Sequence, residues 1–121
     1  MKLENQVANL ELAKKLKELG VKQESLFYWA KDYYHETFDV RRERFSASHE
    51  DGLSAFTVAE LGEMLPPAIR GSEWLVSTKN LEKKWVCGYQ HYDTLMIGER
   101  ADTEADARAK MLVYLLENKL I

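Results

Sequence analysis

Acidic residues flank each of the three histidines in this chain, and each grouping can be matched against a known chemistry. His35-Glu36-Thr37-Phe38-Asp39 sets a histidine and an aspartate four apart with a glutamate between them. On a helix, two ligands at that spacing grip zinc while the glutamate activates water. Here the second ligand position is Asp39, the segment lacks helical periodicity and no third ligand is evident, so it reads as a solvated loop. His91 and Asp93 are two apart beside a strand, where a carboxylate can orient an imidazole as a base. No nucleophile accompanies them, and exposed polar residues are common where a hairpin meets the next strand. His49-Glu50-Asp51-Gly52 lacks the spaced acids of a calcium loop and reads as a polar turn closed by glycine. Cys87 falls in mid-strand among Trp85, Val86 and Tyr89, with no cation nearby to favour a thiolate, so it reads as a small core residue. Gly-x-Ser-x-Gly, Walker and dinucleotide fingerprints are absent. The expectation is no catalytic residue, no metal ligand and no cofactor.

The nucleic-acid candidate is a basic, aromatic segment. Arg41, Arg42 and Arg44 can pair with phosphates, while Tyr33, Tyr34 and Trp29 can stack on bases. Lys83 and Lys84 beside Trp85 would extend that patch if the two hairpins are neighbours. Glu43 interrupts the arginines, and seventeen basic against twenty acidic residues leave a net charge of −3. Polyanion binding is therefore the disfavoured alternative.

These residues must be held by some framework. A length of 121 residues suits one domain, here 1–121, with 45% hydrophobic and 31% charged residues arguing for a globular chain. The longest apolar run, 111–116, is far short of the ~20 residues of a membrane span. The first residues carry no apolar signal core, and a lone cysteine excludes an internal disulfide. A cytoplasmic, non-membrane protein is expected.

Asn9 as N-cap and Gly20 as terminator bracket a first helix with Leu12, Leu16 and Leu19 on one face. Residues 25–31 read as a strand and 38–45 as a less regular one, joined through 33–37; residues 46–54 read as a loop. Thr57 and Glu60 form a capping box, Phe56 and Leu61 a hydrophobic staple, and Pro66 and Pro67 stop the short helix, about 58–65. Residues 73–79 and 84–92 form a hairpin across a four-residue link, and 94–100 add a further strand. Trp74, Val76 and Thr78 share one face of the first arm; Trp85, Cys87, Tyr89 and His91 share one of the second. Thr103 and Asp106 open a last helix whose stripe is Ala105, Ala109, Leu112 and Leu116, with Val113 and Leu120 to one side. The expected fold is α+β: an antiparallel sheet of four to five strands covered by three helices, in the order α-β-(β)-α-β-β-β-α.

Three blocks, 10–29, 55–66 and 101–118, carry a family likeness. They contain the leucine helix leading into Phe27-Tyr28-Trp29, the Thr57-Val-Ala-Glu60 cap with Pro66 beyond it, and the Ala101-Asp102-Thr103 helix start. Together they resemble a group of small proteins of unassigned activity encoded in bacterial prophages and other mobile elements. The tryptophan-bearing hairpin that leads into Ala101-Asp102-Thr103 is also similar to the phage sandwich domain, in which a sheet lies between helices. The resemblance implies a phage-related origin and transfers no site residue.

Tryptophan and tyrosine left on a sheet surface would mark a partner interface. The functional expectation is an accessory module, more in keeping with binding than with catalysis, whose partner is another protein or a second copy of itself.

Overall fold

The structure, a computed structural model, describes residues 2–32, 37–42 and 53–121. Its helices are α1 (Leu10–Glu18), α2 (Val58–Met64) and α3 (Glu104–Glu117), and its strands are β1 (Phe27–Asp32), β2 (Thr37–Arg41), β3 (Leu53–Ala55), β4 (Ala68–Ile69), β5 (Glu73–Lys79), β6 (Trp85–His91) and β7 (Thr94–Ala101). The fold is α+β, and all pairings between these strands are antiparallel.

The helix starts follow local chemistry. Asn9 Oδ1 accepts from the Leu12 amide at 2.9 Å and opens α1. Glu60 Oε1 accepts from the Thr57 amide at 3.0 Å while Thr57 Oγ1 accepts from the Glu60 amide at 3.2 Å, completing the capping box of α2. Phe56 and Leu61, the two arms of the staple, are both buried in one core cluster. The second oxygen of Glu60 accepts from the Leu26 amide at 3.1 Å, so the same side chain also fastens the approach to β1. Thr103 caps α3 by accepting from the Asp106 amide at 3.1 Å. Asp106 in turn accepts from the Asn9 amide at 2.8 Å, joining the starts of α1 and α3.

Two features of the expected architecture are corrected. First, the strands form two sheets rather than one, in the orders β2-β1-β3 and β4-β5-β6-β7. The added strands are β3, which overlaps the end of the stretch expected to be a loop, and β4, just after the two prolines. Leu53, Ser54 and Ala55 are all buried, so β3 shows no alternation to betray it. Second, the helices do not simply cover a sheet. α1 packs on β3 and on α3, while α3 packs on β6, β7, α1 and α2, which leaves helices between the two sheets.

That layering follows from helices that are apolar on more than one side. On α1, Leu10 and Ala13 join the cluster of Val7, Trp29, Leu53 and Ala55, whereas Leu12, Leu16 and the C-capping Leu19 join the larger one. On α3, Ala105, Ala109, Leu112 and Val113 are buried, and so are Ala107, Met111 and Leu115 about half a turn away. Leu115 is fully buried, Leu116 only partly, and Leu120 is exposed; the stripe drawn through Leu116 and Leu120 is therefore displaced toward Leu115.

The second proposed strand is shorter than expected, ending at Arg41; its former end, residues 43–45, lies outside the described residues. Among the described residues, no helix is long and apolar enough to cross a membrane.

Candidate functional site

The register of the four-stranded sheet decides which side chains share a face. Trp74 pairs with Gln90, Val76 with Gly88 and Thr78 with Val86; Gly88 pairs with Gly98 and Gln90 with Leu95. Cross-strand partners point to the same side, so Trp74, Val76, Val86, Gly88, Leu95 and Gly98 lie, with the polar Thr78, Gln90 and Arg100, on the side away from the buried Cys87 and Tyr89. One extra residue, Met96, stands in the irregularity opposite Tyr89 and Gln90.

Toward the β6–β7 link this outer face presents exposed apolar side chains, whereas Thr78 and Arg100 make its other end polar. Trp74 is 41% exposed, Leu95 42%, Met96 52% and Tyr92 72%. The two facing glycines serve close approaches of different kinds: a Cβ on Gly98 would come 2.8 Å from Leu95 Cδ2, whereas one on Gly88 would overlap the backbone of β7 at the Ile97 carbonyl and the Gly98 Cα. Tyr92 sits in the two-residue link between β6 and β7 with φ +52°, a left-handed conformation unusual for an aromatic residue. Its ring meets Trp74 edge-on, with centroids 6.4 Å apart and planes at 85°, and meets His91 at 4.5 Å and 74°. Edge-to-face packing of this kind is attractive. The result is a corner of three aromatic rings at one end of the sheet.

The opposite, helix-facing side holds a polar network. Ser77 Oγ donates to Glu104 Oε2 at 2.7 Å, and Arg108 Nη2 donates to the same oxygen at 3.3 Å. Arg108 Nη1 donates to the Val58 carbonyl at 3.1 Å, so one guanidinium ties the sheet side of α3 to the first residue of α2. Cys87, fully buried, has its thiol pushed up to about 12, chiefly by burial; Arg108 works against the rise and Glu104 with it. Tyr89 is also pushed up to about 12, by burial first and by Cys87 second, and its hydroxyl donates to the Pro66 carbonyl at 2.7 Å. Neither group is poised to react at neutral pH. At the surface, hydrogen bonding to Lys84 holds the Asp102 carboxyl below its ordinary value.

The residues singled out in the sequence fare differently. Arg41 and Arg42 are exposed at the end of β2, where Arg41 approaches Asp39 at 3.9 Å. Trp29 is not on the surface with them: it is buried, and its Nε1 donates to the Ala8 carbonyl at 2.9 Å. Tyr33, Tyr34 and Arg44 lie outside the described residues, as do His35, Glu36 and the segment 49–52. His91 Nδ1 is 3.4 Å from the Ser72 carbonyl, and no ion pair between His91 and Asp93 occurs among the described residues. Among those residues no group of three or more His, Cys, Asp and Glu side chains could hold a metal.

Sequence reasoning passed over Tyr92, Leu95 and Met96 as a surface, and Glu104 and Arg108 as a pair. An arginine one turn after a glutamate on the same helix was the available signal for the second. No family model, curated protein or solved structure matches the chain.

Proposed function

We propose that this chain is a cytoplasmic accessory module of prophage or mobile-element origin that acts by binding another protein rather than by catalysis, and that its contact surface is the outer face of β5–β7. The observation that carries the reading is the grouping of Trp74 and Leu95 on one sheet face with Tyr92 in the adjoining link and Met96 at the bulge, four large apolar side chains exposed at one end of the sheet. Monomeric proteins seldom present a contiguous apolar patch of this kind without a partner, and tryptophan and tyrosine are the residues that most often dominate binding energy. The strained Tyr92 adds weight. A left-handed tyrosine costs about 1–2 kcal/mol, and its edge contacts with Trp74 and His91 offset that cost while holding the ring outward.

Site-specific photocrosslinking tests the reading. A photoreactive phenylalanine analogue replaces Met96 in one variant and the exposed Lys22 in another, and both are irradiated in host cells. The expected outcome is a discrete protein adduct from position 96 that disappears when Trp74→Ser and Tyr92→Ser are added. Equal labelling from positions 22 and 96, or none from 96, sinks the proposal.

A further inference from the structure

Phe27 at the start of β1 packs against one core cluster and Trp85 at the start of β6 against the other. The two rings are walls of a half-open pocket of about 340 Å³, which Leu3, Val58 and Ala59 complete on its apolar side and Asn5, Gln6, Thr57 and Glu104 on its polar side. That volume falls at the lower end of ordinary small-molecule sites, which are mainly apolar with a few convergent polar groups.

The Thr57 hydroxyl is taken up by the α2 cap, and the one charged group in the lining is Glu104. Its Oε2 is engaged by both Ser77 and Arg108, whereas Oε1 has no partner among the described residues. The carboxylate thus lines the pocket with one acceptor oxygen to spare. Its charge is balanced by the Arg108 guanidinium, so it makes little demand for a cation. The Lys79 ammonium, 6.0 Å from the Trp85 ring centroid, further disfavours a positive ligand. An anion would face the carboxylate itself. Two aromatic walls, a carboxylate already balanced by its own arginine and one spare acceptor oxygen define a complementary molecule.

We propose that this pocket is a binding site for a small, neutral aromatic molecule carrying one N–H or O–H donor, of the indole or phenol class, with Glu104 Oε1 accepting the hydrogen bond. This site lies on the helix-facing side of the sheet and stands independently of the docking surface on the other side.

Indole and 1-methylindole serve as the probes, titrated separately into the full chain and followed residue by residue by NMR. Indole should perturb Phe27, Ala59 and the Trp85 side-chain N–H, with a Kd of about 1 mM or tighter, as suits so small a ligand. Methylation removes the donor, so 1-methylindole should bind at least about tenfold more weakly, the loss expected for a hydrogen bond to a charged acceptor. Ala59→Trp, at an exposed position on the rim, should abolish the indole shifts while leaving circular dichroism and the unfolding midpoint unchanged. No saturable shift with indole, shifts centred on Trp74 and Tyr92 instead, or equal affinity for 1-methylindole would each overturn the assignment. If Ala59→Trp does not fold, the two titrations on the unaltered chain still decide it.

Discussion

Gly62 and Arg108 are fitted to one another: a Cβ at Gly62 would overlap Arg108 Nη1, the nitrogen that donates to the Val58 carbonyl. Glycine in mid-helix costs about 1 kcal/mol relative to alanine, yet α2 retains it in the middle of its seven residues. The arginine needs that gap to lie across α2.

From this pair follows a change of sign. Gly62→Ala should destabilise the protein by about 0.5–2 kcal/mol, because displacing the guanidinium loses a charge-assisted bond worth more than the helix-propensity gain. In an Arg108→Met background the same substitution should be neutral or stabilising. Urea unfolding of the four proteins in the cycle measures the coupling directly; additive effects would show that the two positions are independent.

Burial along α3 makes Leu115, not Leu116, the sensitive leucine. Leu115→Ala removes methyl groups from a fully buried site and should cost about 2–5 kcal/mol. Leu116 is only partly buried and should cost clearly less. Chemical denaturation of the two variants side by side checks the order, and the reverse order would mean that α3 is rotated.

Cys87 links stability to alkaline pH. Its thiol moves from an ordinary 9.0 to about 12 in the fold, chiefly through burial. Above pH 9 the unfolded chain therefore gives up a proton that the folded chain keeps, and stability must fall as pH rises toward 12, at up to about 1.4 kcal/mol per pH unit for this one group. Cys87→Ala should flatten that part of the stability curve, measured by urea unfolding between pH 8 and 11 (about three units, within the window set by linkage). At pH 8 the native protein should also resist thiol reagents until denaturant is added; rapid labelling of the native state would contradict the burial.

The arginine segment has a salt test. With a net charge of −3 and Arg41 close to Asp39, we expect neither single- nor double-stranded DNA to bind tightly near physiological salt. Titration by fluorescence anisotropy at several salt concentrations settles it. Submicromolar binding that is lost when Arg41, Arg42 and Arg44 are replaced, with a logarithmic salt slope reduced by about 0.7–0.9 for each phosphate contact removed, would displace the protein-docking reading.

The sequence by itself determined the features that depend on near neighbours. Asn9, the Thr57–Glu60 box and Thr103 all cap helices where their spacing placed them, since a cap is a bond across three residues. The β5–β6 hairpin likewise needed only alternation and a short link, and Cys87 lies in the core as its apolar neighbours implied. Tertiary structure alone decided what depends on distant partners. Three uniformly buried residues carry no period, so β3 could be seen only once β1 lay beside it. Helix periodicity identifies one apolar face but does not say whether a second face is covered, so Ala107, Met111 and Leu115 became core only when α3 was enclosed. The same holds for the exposed aromatics. Trp29 and Trp74 both stand on strands of similar composition, and only the position of the helices buries the first and leaves the second in solvent. A side chain's fate in water is settled by whichever element packs over it, and that element is remote in the chain.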